Sequence, residues 1–220
     1  MGQRTMGRIT YLSITCTLLL GLACQPAATE TETPASPPNT NRLTQEKTAE
    51  TNLLKHRVDS LCQLLPPWLT RKGYRTDRVL VADLQRHSGL PRMVLVNPTN
   101  GQWIDSGLVA HGSGAQTFAF TAVYSNKPNS YCSSQGRYRI GQAYTGNFGK
   151  AYKLHGLDPT NNNAYQRLVV LHQYRCVPEQ AVYPDFICNS LGCPMVSPGF
   201  LQRLFTTLDD HSKPMLLWVL

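Results

Sequence analysis

Residues 168–194, LVVLHQYRCVPEQAVYPDFICNSLGCP, decide how this chain is read. Leu168-Val169-Val170-Leu171 is a short apolar run of the kind that fits a buried strand, and His172 stands at its end. Ser190-Leu191-Gly192-Cys193-Pro194 follows as a tight turn of small residues. There Gly192 permits close backbone approach, and Pro194 fixes the chain just beyond. A strand carrying an imidazole and a loop returning a thiol to it form the layout of a cysteine nucleophile site. The thiolate is the attacking form, so the thiol needs a base or a positive neighbour. N–H groups around Gly192 would face the oxyanion formed on a carbonyl, a contribution of about 2.7–4 kcal/mol per donor. Spacing alone does not choose His172 over His111 in Ala110-His111-Gly112 or His155 in Leu154-His155-Gly156. Nor does it separate a catalytic cysteine from a structural one.

Outward from this stretch the pattern is one of short apolar runs between turn residues. Val79–Leu84, Met93–Val96, Trp103–His111, Phe118–Tyr124, Tyr138–Ile140, Leu168–His172 and Met215–Leu220 predict strands. Asn97-Pro98-Thr99-Asn100-Gly101 predicts a hairpin, and Pro198–Leu208 a short helix. Further upstream Leu53, Leu54, Val58, Leu61, Leu64 and Leu65 recur at three- and four-residue steps, predicting an amphipathic helix over 48–65 that Pro66-Pro67 stops. The class is therefore mainly β, with a few short helices and one N-terminal amphipathic helix. No Gly-rich phosphate loop, zinc-spaced cysteine set or calcium loop is present, so neither a metal nor an organic cofactor is expected.

The N-terminus reads as an export signal over 1–23: Arg4 and Arg8 precede a mostly apolar stretch from Ile9 to Ala23, too short to span a bilayer. It ends in Leu20-Gly21-Leu22-Ala23-Cys24, small residues before a cysteine, which predicts lipid attachment at Cys24; simple cleavage nearby is the alternative. Acyl chains there contribute about 0.8 kcal/mol per buried methylene and would hold the protein at a membrane. Residues 24–48, rich in Pro, Thr, Ala, Glu and Asn, read as a tether, and 49–73 as the helix with its connector. The net charge of +8 falls to +6 without residues 1–23. Its cations are spread singly, which fits a solvated basic surface rather than a nucleic-acid face. Five cysteines beyond the tether, in an exported chain, leave an odd thiol.

Leu108-Val109-Ala110-His111-Gly112, Tyr124 to Ser130 leading into Ser133-Ser134-Gln135-Gly136-Arg137-Tyr138, Tyr144-Thr145-Gly146, Leu154-His155-Gly156-Leu157, Asn163-Ala164 with Arg167, Val170-Leu171-His172 and Ser190 to Pro194 occur in that order. Together they resemble the murein L,D-transpeptidase catalytic-domain family, of YkuD-like β-sandwich or barrel fold, with a catalytic domain over 74–220. The resemblance implies Cys193 as nucleophile, His172 as general base and Ser190 as the group that helps orient the histidine, through side chain or backbone. It places the oxyanion and substrate contacts at Gly192, Leu191, Arg167, His111 and Ser134. It implies peptidoglycan stem peptides as substrate and, with Cys24 and Gln25, a place on the periplasmic side of the outer membrane. Water as acceptor, giving an L,D-carboxypeptidase, and a catalytically silent wall-binding lipoprotein are the alternatives.

Two positions depart from the pattern: Gln173 stands where glycine is usual, and Asn189 where arginine is usual. Within the resemblance, the placement of Cys176 and Cys188 between base and nucleophile suggests a disulfide, leaving Cys62 and Cys132 as a second pair. Four structural cysteines allow three connectivities.

Overall fold

The computed structural model describes residues 40–220 apart from Ala115 and Thr117. The expected signal peptide, Cys24 and the first part of the expected tether lie outside the described residues. The elements are α1 (Thr40–Lys72), β1 (Val79–Ala82), β2 (Met93–Asn97), β3 (Gln102–Gly107), β4 (Val109–Ala110), β5 (Gly136–Gly146), β6 (Gly149–Gly156), β7 (Val170–Gln173), β8 (Met195–Val196), α2 (Pro198–Leu208) and β9 (Met215–Val219). All nine strands belong to one mixed sheet of order β3-β2-β1-β9-β5-β6-β7-β8-β4. The β1/β9 and β7/β8 pairs are parallel. The two edge strands, β3 and β4, are separated in sequence only by Leu108, so the sheet curls until its edges approach, as a barrel does. The fold is mainly β, as the sequence predicts.

Alternation along the strands divides the core in two. Leu80, Ala82, Met93, Leu95, Tyr138, Ile140, Tyr152, Leu154 and Leu217 pack inside the curl against Phe200, Leu201, Leu204 and Leu208 of α2. Val79, Val81, Val94, Val96 and Leu216 point the other way, onto Leu54, Val58, Leu65 and Leu69 of α1. The N-terminus of α2 is set by Ser197, whose hydroxyl accepts from Phe200 N, with Pro198 entering the helix next. Among the described residues no helix is long and apolar enough to cross a membrane.

Three expectations are corrected. Helix α1 begins at Thr40, inside the expected tether, and runs through Pro66-Pro67. Its early turns are docked: Tyr183 Oη donates to Glu46 at 2.5 Å and Arg86 Nη2 to Thr51 Oγ1 at 2.8 Å. Each proline removes a helical hydrogen bond at a cost of about 3 kcal/mol, but burial of Leu65 and Leu69 carries the helix past them. Next, Trp103–His111 is two strands at opposite edges of the sheet, not one. Finally, Phe118–Tyr124 is irregular, with Phe118, Phe120 and Val123 exposed and Ala122 N and Phe120 O tied to Leu84 and Ser88.

Candidate active site

Strands β7 and β8 bring His172 and Cys193 to one cavity. Their parallel register sets His172 opposite Met195, and His172 N donates to Pro194 O at 3.4 Å. Cys193 thus lies two residues before the strand neighbour of the histidine. The turn before it is held from both ends. Ser190 Oγ donates to Cys193 O at 2.6 Å and accepts from Gly192 N at 3.1 Å, while Ser190 N donates to His111 O at 2.8 Å. Gly192 has φ +118°, and a Cβ there would lie 2.8 Å from Cys132 O. Only glycine serves.

The thiol is free and half-buried. Its Sγ accepts from Val170 N at 3.5 Å and lies 3.8 Å from Leu168 O. Cys193 and His172 line one cavity of about 370 Å³ with Tyr144, Phe148, Leu168 and Val170. His172 Nδ1 is 3.0 Å from Gln173 O, and a carbonyl only accepts, so Nδ1 carries the proton and Nε2 keeps its lone pair. The ring of Phe148, from the turn between β5 and β6, stacks on the imidazole at 5.4 Å and 25°. Burial pushes the Cys193 thiol above its ordinary value, against smaller lowering by the Val170 N–H and Arg167. Burial also lowers His172, with the Gln173 carbonyl opposing. At neutral pH the two therefore rest as thiol and neutral imidazole.

The other expected site residues fall into place differently. The Ser190 hydroxyl is spent on the Cys193 turn rather than on the histidine, whose Nδ1 meets the Gln173 carbonyl. Gly192 N is likewise occupied by Ser190 Oγ, so among the described residues the unpaired donor at an oxyanion position is Cys193 N. His111 is fully buried and cannot touch substrate. Its Nδ1 is 2.6 Å from Arg92 Nη2, and burial with that cation beside it pulls its pKa down to about 3. Ser134 is also buried, accepting from Arg167 and donating to Ser125 O at 2.9 Å. Arg167 spends its guanidinium on Ser125 O, Ser134, Ser130 and Cys132 O, pinning the 125–134 loop behind Gly192. Leu191 is 76 % exposed and lines a separate recess with Tyr131, Arg167 and Leu168. Among the described residues no cluster of His, Cys, Asp or Glu is placed to hold a metal ion.

Cys176 and Cys188 form a disulfide with Cα atoms 6.0 Å apart, closing the segment between His172 and Cys193. The expected Cys62–Cys132 pair is corrected: both are free thiols. Cys62 faces the sheet from α1, while Cys132 sits in the loop behind the Cys193 turn, bridged to Ser113, so the fold keeps them in separate places.

Sequence reasoning missed two contributors. Phe148 gave no signal, because an aromatic in a Gly-flanked turn reads as an ordinary exposed residue. Arg92 stands just ahead of the apolar run Met93–Val96, where a charge reads as an exposed strand end. It is fully buried and donates to the carbonyls of Val109, Leu84, Arg86 and Phe120, as well as meeting His111. Burial lowers it to about 9, which leaves it charged at neutral pH. Asn189, at the position where arginine was expected, binds Ala119 N and O instead.

With this geometry in hand, the family comparison is decisive: the model of the L,D-transpeptidase catalytic domain matches residues 46–217. The chain belongs to that family. No curated protein matches it in sequence. Solved structures similar to it include an L,D-transpeptidase from Xylanimonas cellulosilytica (14 % identity over 66 % of this chain and 61 % of that one, TM-score 0.37). An L,D-transpeptidase from Mycobacterium smegmatis is similar too (12 % identity, 66 % and 58 %, TM-score 0.41). A third is the helical cell shape determining protein Pgp2 from Campylobacter jejuni (11 % identity, 67 % and 49 %, TM-score 0.43). The chain spans half to three fifths of the length of these structures, and values this low add nothing to the family match.

Proposed function

We propose that this L,D-transpeptidase-family chain is a cysteine acyltransferase acting on peptidoglycan tetrapeptide stems. The observation that carries the reading is the placement of Cys193 and His172 on one cavity, with Nδ1 of the histidine committed to Gln173 O and Nε2 left to accept. In the first half-reaction His172 Nε2 takes the thiol proton as Sγ attacks the carbonyl of the third stem residue. The oxyanion meets Cys193 N. The amide C–N bond breaks, D-alanine leaves with the proton from His172, and a thioester remains. An amine of a second stem then gives its proton to His172 and attacks the thioester, forming a 3-3 crosslink; the proton returns to the departing thiolate. Positioning of an amine and exclusion of water decide against simple hydrolysis. Family membership and the export-like N-terminus together support work in the bacterial cell envelope, with the lipid at Cys24 holding the domain at the membrane.

The test is incubation with disaccharide tetrapeptide and mass spectrometry of the products. Dimer with loss of D-alanine is expected. Tripeptide alone assigns water as the acceptor, and no turnover with an unreactive Cys193 overturns the enzyme reading in favour of a silent wall-binding protein. Cys193→Ala removes every product and leaves the fold intact.

A further inference from the structure

The register of β6 against β7 places more than the catalytic base on the outer face of the sheet. Ala151 pairs with His172 and Lys153 with Val170. The side chains of Ala151, Lys153, Val170 and His172 therefore leave on one face, opposite Tyr152, Leu154 and Leu171 in the interior. Lys153 stands two residues along β6 from the partner of His172, about 7 Å. A second cavity, of about 380 Å³, is lined by Tyr144, Lys153, Tyr165, Leu168, Val169 and Val170. It shares Tyr144, Leu168 and Val170 with the cavity that holds Cys193.

Lys153 Nζ lies 6.0 Å from the ring centroid of Tyr144 and 5.8 Å from that of Tyr165. Tyr165 is itself fixed by stacking on His155 at 4.6 Å and 13°. Arg139 pairs in register with His155 and adds positive charge to this face. Burial, with Arg139 and Lys153 nearby, lowers His155, so it is neutral at pH 7. The neighbouring acids are engaged elsewhere: Asp158 with Arg137, Asp209 with Lys150 and Tyr152, Asp210 with Arg75. Among the described residues no carboxylate lies within ion-pair reach of Lys153. An ammonium walled by two tyrosines beside a nucleophile, with no counter-ion of its own, is arranged for an anion.

We propose that this second cavity binds a free carboxylate of the peptide stem, with Lys153 as its counter-charge and Tyr144 and Tyr165 as its walls. The proposal rests on the stem-peptide reading above and deepens it. The two cavities share Tyr144, Leu168 and Val170, so the carboxylate belongs to a residue close to the one acylated.

The test compares two synthetic tetrapeptide stems, alike except that the carboxylate of the second residue is free in one and amidated in the other. Their binding is measured by titration calorimetry to the full-length Cys193→Ala protein, with and without Lys153→Gln or Lys153→Arg. Lys153→Gln is expected to weaken the free-acid stem about tenfold and leave the amidated stem unchanged, while Lys153→Arg keeps most of the affinity. Equal weakening of both stems, no effect on either, or no binding of either overturns the proposal. D-alanine release from the same stems by the unsubstituted protein separates the two readings. Release with binding indifferent to Lys153 sinks the second site alone. Binding that depends on Lys153 without release sinks the acyltransferase alone.

Discussion

Replacing Gly192 by alanine tests how the fold aims the thiol. At φ +118° an L-residue costs about 1–3 kcal/mol in backbone strain alone. The new Cβ would also sit 2.8 Å from Cys132 O and 3.4 Å from Arg167 Nη2. That carbonyl cannot retreat freely, because Arg167 Nη2 grips it at 2.6 Å. Strain and clash together come to about 3 kcal/mol, or a fall in Tm of about 6–12 °C for a domain of this size. Gly73→Ala is the control: its φ is also positive, at +72°, but nothing lies within 4 Å of the added methyl, so it costs about 1–2 kcal/mol. If the turn relieves its clash by shifting, Sγ moves by about 1 Å and the rate of D-alanine release drops about 100-fold. Scanning calorimetry and a turnover assay on both variants measure the two effects. Gly192→Ala that melts no earlier than Gly73→Ala and turns over normally would refute the account of the turn.

Because burial raises the Cys193 thiol, alkylation by iodoacetamide should increase with pH through a midpoint above the ordinary 9.0, and by the same linkage its stability contribution is full below 9.0 and lost as pH rises from 9.0 through that midpoint; a midpoint below 9.0 contradicts it. Phe148→Ala unstacks His172 and lets water in, so its lowered pKa should rise and carry the acid limb of the pH–rate profile to higher pH, with activity about tenfold lower and rescued by Phe148→Tyr; an unmoved limb removes Phe148 from the mechanism. Peptide mapping without reductant should find Cys176 joined to Cys188 with Cys62 and Cys132 alkylated, and Cys188→Ser should cost about 3 kcal/mol of stability; a Cys62–Cys132 peptide would contradict the fold.

What could be read from the sequence follows from how strongly each segment repeats one pattern. The runs at 79–82, 93–96 and 215–219 are buried almost throughout, so every residue in them is apolar and the strand is obvious. β6 escaped notice because its outer face carries Lys153 and His155 while only Tyr152 and Leu154 face inward, too short an alternation to stand out. The first turns of α1 escaped for a different reason. Their helix depends on Tyr183 and Arg86, contacts more than thirty residues away that no local pattern contains. The candidate site divides the same way. Cys193 and His172 were legible because a thiol in a Gly-Pro turn and an imidazole at a strand end are unusual residues in unusual places. Ser190 and His111 were legible as residues but not as roles, since hydrogen-bond partners decide those.

The position of β9 has a consequence for how the protein comes into being. It runs between β1 and β5 and, among the described residues, is the strand that joins the half holding β1–β3 to the half holding β5–β7. It also follows every other element of the fold along the chain. During synthesis the two halves have open edges until residues 215–219 arrive to zip them together. The thiol is thus made before the scaffold that aims it is complete, and a nascent chain that stops short of β9 would leave those two edges exposed.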